Sequence, residues 1–76
     1  MSERLPRTTA AEVIKVLEHA GFSLARQSGS HKIYRNDEGK RVTVPWHTRK
    51  TLHPKLLQSI LKDADLSVER FRELLR

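Results

Sequence analysis

Seventy-six residues fit one small domain spanning 1–76. A chain of that size buries only about 60% of the surface its unfolded form exposes, so one modest core is all it can build. There is no cysteine, which excludes a disulfide framework and a thiolate metal site and fits a reducing, cytoplasmic setting.

No segment reaches the roughly 20 apolar residues of a membrane span. The charged start, Met1 to Arg7, has no apolar run behind it, so neither a membrane association nor a signal peptide is expected. The formal net charge of +6 is unevenly distributed. Acidic and basic residues balance over residues 1–25 and again over 56–76. Between them Arg26, Lys32, Arg35, Lys40, Arg41, Arg49, Lys50 and Lys55 face only Asp37 and Glu38. A basic excess confined to one region is the electrostatic footprint of a polyanionic partner, nucleic acid or an acidic protein surface.

The first helix announces itself at Thr9-Ala10-Ala11-Glu12. Threonine and the glutamate three residues on form a capping box, each satisfying an orphan backbone donor of the other. Val13, Val16, Leu17 and Ala20 follow at helical spacing, with Ile14 at the edge of the stripe. Gly21 can adopt the left-handed conformation that ends a helix, and Phe22 can fold back on Leu17.

Three strands are predicted next. Phe22 to Gln27 alternates loosely, Ser28-Gly29 supplies a turn, and His31 to Arg35 forms the second strand. Asn36-Asp37-Glu38-Gly39 suits a hairpin connection. In Arg41 to Pro45, Val42 and Val44 alternate with Arg41 and Thr43, giving one buried and one wet face. Pro45 cannot donate to a ladder and closes the strand.

Trp46 to Thr51 reads as an exposed loop. Pro54 suits the first position of a helix, whose stripe is Leu56, Leu57, Ile60, Leu61 and Ala64, with Asp65 in place of the usual terminal glycine. Leu66 and Phe71 bracket Ser67 as a hydrophobic staple around an N-cap, opening a short last helix that ends with Leu74 and Leu75. The order α-β-β-β-α-α implies an α+β fold, a three-stranded antiparallel sheet with helices on one face and the other face free for a ligand.

Several motifs agree in order and spacing with one family. Gly21-Phe22, Gly29-Ser30-His31, Tyr34-Arg35, Val42-Thr43-Val44-Pro45-x-His47, and Leu57-x-Ser59-Ile60-Leu61-Lys62 through Leu66-Ser67 resemble the small HicA toxins of bacterial toxin–antitoxin pairs. The resemblance covers nearly all of the chain after the first ten residues. It implies a fold like a double-stranded-RNA-binding domain and an mRNA-cleaving ribonuclease activity without a metal or other cofactor. It implies a HicB-type antitoxin as partner, and it places the residue needed for activity at His31. One departure is His53-Pro54-Lys55-Leu56, where the family has a Gly-Thr-Leu-like start to its second helix.

Taken without the resemblance, a lone histidine at a strand start is more often structural than catalytic; with it, the residues fit that chemistry. RNA carries its own nucleophile, the 2′-hydroxyl, so a ribonuclease needs only a group that moves a proton and cations that hold the phosphate. Neutral histidine, which titrates near about 6.5 in peptides, suits the first task at His31. Lys32, Arg35, Arg41 and Lys50 suit the second, and Gly29-Ser30 lets the backbone approach the phosphate closely.

Regular alternation puts His31 on one face with Ile33, which reads as a core residue. His31 is then exposed only by a bulge after the turn or by its place at the strand mouth. Tyr34 and Trp46 offer faces on which unpaired bases could stack, against the plainer uses of filling the sheet's face and closing its end. His47 is a candidate second proton donor. His19 fits the last turn of its helix and His53 a cap. A His47–His53 metal site lacks both helical spacing and a nearby carboxylate. The rivals to a ribonuclease are a non-catalytic RNA-binding module and a protein-interaction domain with a basic face.

Overall fold

Val42 and Val44, two residues apart in one strand, decide which side of the sheet turns inward. Both are fully buried while Arg41 and Thr43 between and before them are exposed. The computed structural model describes residues 6–46 and 50–76. Its elements run α1 (Ala10–His19), β1 (Ser23–Ser28), β2 (His31–Arg35), β3 (Arg41–Pro45), α2 (Pro54–Ala64) and α3 (Val68–Leu75). The three strands form one antiparallel sheet in the order β1-β2-β3. This is the expected α+β arrangement.

Each helix starts and stops for a local reason. The Thr9–Glu12 capping box is present in both directions: Glu12 N–H donates to Thr9 Oγ1 at 3.3 Å, and Thr9 N–H donates to Glu12 Oε1 at 3.0 Å. At the other end Gly21 takes φ 95°. The Phe22 and Gly21 N–H groups then donate back to the Leu17 and Glu18 carbonyls at 2.9 and 3.1 Å, which satisfies carbonyls the helix would otherwise strand. Helix α2 begins at Pro54 with the His53 ring as its cap, Nδ1 accepting from Lys55 N–H at 3.1 Å. It closes on Asp65, at φ 58° the one non-glycine residue with positive φ among those described. Helix α3 is capped by Ser67, whose Oγ accepts from Arg70 N–H at 3.0 Å.

The core lies between the helices and one face of the sheet. Val13, Val16 and Leu17 of α1, Leu57, Ile60 and Leu61 of α2 and Phe71 of α3 are buried against Tyr34, Val42 and Val44. Helix α2 packs on β3, while α1 packs on both β3 and α3. One tie has no signature in the sequence. Thr8, itself fully buried, accepts from Leu52 N–H at 2.8 Å, and Thr9 forms an isolated antiparallel bridge with Thr51. This pins the segment ahead of α1 to the one ahead of α2.

All six residues of strand β1 are exposed, and its main packing partner is β2. It also starts and ends one residue later than the alternation predicts. The connection to β2 is therefore Gly29-Ser30, with Ser28 paired to His31. Gly29 has φ 57° and Ser30 no positive φ, the pattern of a type II′ hairpin, which wants glycine first. A Cβ at Gly29 would meet no atom within 4 Å, so the penalty for one is conformational only. Gly29→Ala is expected to cost about 1–2 kcal/mol, read as a lower urea midpoint at unchanged slope.

Candidate nucleic-acid interface

The register of the sheet corrects one expectation. Tyr34 pairs with Val42, and Ile33 with Thr43. Tyr34, only 3% exposed, therefore takes the core position, and Ile33 lies half-buried on the opposite side. His31 does share a face with Ile33, but that face is the open one. Exposure of His31 needs no bulge in β2. The irregularity in this hairpin falls in β1, between Leu24 and Arg26.

Directly paired residues of antiparallel strands project to the same side, so the open face can be laid out in three rows. The first holds Ser28, His31 and Pro45; the second Arg26, Ile33 and Thr43; the third Ser23, Arg35 and Arg41. All are exposed except Ile33 and Pro45, which are half-buried. His31 sits at the end where the glycine turn delivers it. Trp46 N–H donates to the Ser30 carbonyl and holds the chain leaving β3 against that turn.

The expected cations divide between the two faces. Arg35 and Arg41 lie opposite each other in the third row, on the His31 face. Lys32 does not join them. It pairs with Val44 on the helical side, and its ammonium lies 4.0 Å from the centroid of the Trp46 ring. That cation–π contact uses both groups: it engages the Trp46 face and turns the Lys32 charge away from His31. Lys50 is exposed in the connection to α2. His47 lies outside the described residues. Gly29 and Ser30 form the exposed hairpin tip beside His31.

Tyr34 is also set apart, because its ring is core and presents no free face to a base. Burial, and secondarily the Glu18 carboxylate, push its phenol above the ordinary value of 10.0. A folded-state value above the unfolded one gives stability that is complete below the unfolded pKa and is lost as pH rises through the folded pKa. Unfolding midpoints scanned upward from pH 10.0 should therefore fall less steeply in Tyr34→Phe than in the parent. Because Tyr34 is the only tyrosine, phenolate absorbance reads its titration directly.

Arg26 occupies the open face beside Ile33 without having been singled out among the basic residues. The signal for it is positional rather than compositional: only the pairing across the β1 irregularity puts it on the His31 side. Among the described residues the ion pairs are Lys40–Asp65 at 3.4 Å and Arg70–Glu73 at 3.5 Å. None of Arg26, Arg35 and Arg41 has a carboxylate partner there. The face is exposed and positively charged, with one imidazole at its end.

A family model described as the HicA toxin of bacterial toxin–antitoxin systems matches residues 10–66, from the start of α1 through the end of α2. The chain belongs to the HicA toxin family. It is thus a toxin of a toxin–antitoxin system, and a cognate antitoxin is its partner. A comparison with curated proteins finds no match. The HicA match stops short of α3, although α3 supplies Phe71 to the core. Among the described residues no helix is long and apolar enough to cross a membrane, and no three His, Cys, Asp or Glu side chains gather as a metal site would require.

Proposed function

We propose that this HicA toxin is an endoribonuclease that cuts mRNA in the bacterial cytoplasm, with His31 in proton transfer. One observation carries this reading: His31 stands at the end of an open sheet face whose remaining charges are guanidiniums without a carboxylate partner among the described residues.

In the reaction the neutral His31 imidazole takes the proton of a ribose 2′-hydroxyl as that oxygen attacks the adjacent phosphorus. Negative charge grows on the non-bridging oxygens, where fixed cations stabilise it more than in the ground state. Arg35 and Arg41, at the far end of the face, hold the RNA backbone away from the reacting phosphate, and Lys50 is a further backbone contact. The bond to the 5′-oxygen then breaks, its electron pair leaves with that oxygen, and the oxygen takes up a proton. His31 as imidazolium, or His47, supplies it. The products are a 2′,3′-cyclic phosphate and a 5′-hydroxyl.

A HicB-type antitoxin would neutralise the toxin by covering this face with acidic groups, since an inhibitor of the patch must meet the same charges. Analysis of the fragment ends tests the mechanism. Cyclic phosphate and 5′-hydroxyl ends are expected, and a 5′-phosphate would exclude 2′-hydroxyl attack. RNA bound with salt-sensitive affinity but recovered intact would replace the ribonuclease by a binding module.

A further inference from the structure

The open face is polarised along β2, and its two ends differ in chemistry. His31 is at one end, and the directly opposed Arg35 and Arg41 are at the other. Like charges facing each other across a ladder destabilise a sheet, and among the described residues neither arginine has a carboxylate to offset this. Such a pair resembles an anion fork waiting for its ligand, since guanidiniums match phosphate with two parallel hydrogen bonds.

The separation of the ends defines that ligand. Four residues of strand span about 13 Å. A single strand of RNA stretched over a sheet spaces its phosphates about 6–7 Å apart, roughly twice the 3.4 Å axial rise of a duplex strand. The fork therefore falls two phosphates from the one beside His31. Arg26, at the middle row on the β1 side, faces the phosphate in between. Three strands are also only about 10 Å wide, the width of one polynucleotide chain. Ile33, half-buried at the centre of the face, gives the riboses or bases an apolar floor.

We infer that Arg26, Arg35 and Arg41 form an anion track running away from His31 along β2, and that the track takes single-stranded RNA extending at least two phosphates beyond the cleaved bond. This rests on the ribonuclease reading for its orientation relative to the chemistry. The binding of an extended single strand can be measured without cleavage.

Two measurements on the antitoxin-free protein test it. The first compares kcat/KM for a single-stranded RNA octanucleotide and a dinucleotide, in the parent and in the Arg35→Gln/Arg41→Gln double variant. The parent should prefer the longer RNA, and the variant should lose about tenfold or more of that preference. The second follows binding of a 2′-O-methyl octanucleotide against salt. Loss of the one phosphate held by the fork should flatten the log–log slope for a single strand by about 0.7.

Equal length preference and equal salt slopes in parent and variant would overturn the track, whatever cleaves the RNA. Absence of cleavage with the predicted change in slope would support the track while overturning the ribonuclease reading. A variant that binds RNA like the parent but no longer binds the antitoxin would assign the arginine pair to the protein partner and overturn the inference. Both substituted positions are exposed, so folding is checked by an unfolding midpoint equal to or above that of the parent.

Discussion

Replacing His31 with alanine is expected to lower RNA cleavage by about 10²–10⁴-fold, the usual contribution of a positioned acid–base group. It is expected to change stability by no more than about 0.5 kcal/mol, because an exposed side chain outside any network contributes little to folding. His31 fits that description: it is exposed, and no side-chain hydrogen bond or ion pair among the described residues involves it. In cells the same substitution should relieve the growth arrest caused by expressing the toxin without its antitoxin. Thermal unfolding of the two proteins separates lost chemistry from lost folding. A large fall in the unfolding midpoint would mean that the imidazole holds the hairpin rather than a proton.

The second large effect concerns α3. Phe71 is fully buried, and removing a buried phenyl ring costs about 3–5 kcal/mol through lost transfer energy and the cavity left behind. At roughly 0.05–0.15 kcal/mol per residue, a 76-residue protein has about 4–11 kcal/mol in total. Phe71→Ala should therefore lose a large share of that stability, whereas Phe71→Leu, which fills most of the volume, should lose much less. Urea titration followed by far-ultraviolet circular dichroism measures both. A shift below about 1 kcal/mol for the alanine variant would be too small for a core phenyl. The last helix would then be an appendage, not part of the structure that supports the sheet.

The elements were legible because each carries its own punctuation. The capping box at Thr9 and Glu12, the left-handed Gly21, Pro54 at the start of α2 and Ser67 ahead of α3 all act through atoms a few residues away, so spacing along the chain captures them. Asp65 ending α2 was legible for the same reason. The interface was only partly legible, because faces are decided by pairing between strands. Ile33 and Tyr34 are adjacent and both apolar enough for the core. The choice falls to Tyr34 because it sits opposite Val42, and that places His31, Ile33 and Arg35 outside. The same alternation sends Lys32, next in sequence to His31, to the helical side and onto Trp46.

Arg26 was the harder case. Counting along β1 in steps of two cannot pass the extra residue between Leu24 and Arg26, so its face is fixed by the bulge and not by the pattern. The resemblance to HicA toxins and the geometry support each other here. The Gly29-Ser30-His31 motif that carries the resemblance is also the type II′ turn that places the histidine at the edge of the open face. A chain with the motif but without the glycine conformation would lose that placement.

The most direct test of the central claim, that His31 on the open face performs the chemistry, is incubation of labelled RNA with purified, antitoxin-free protein. The parent and His31→Ala are compared with excess chelator present throughout. Cleavage by the parent alone is the predicted result. Equal cleavage by both proteins would contradict it and move the proton transfer to another group, with His47 the next to substitute.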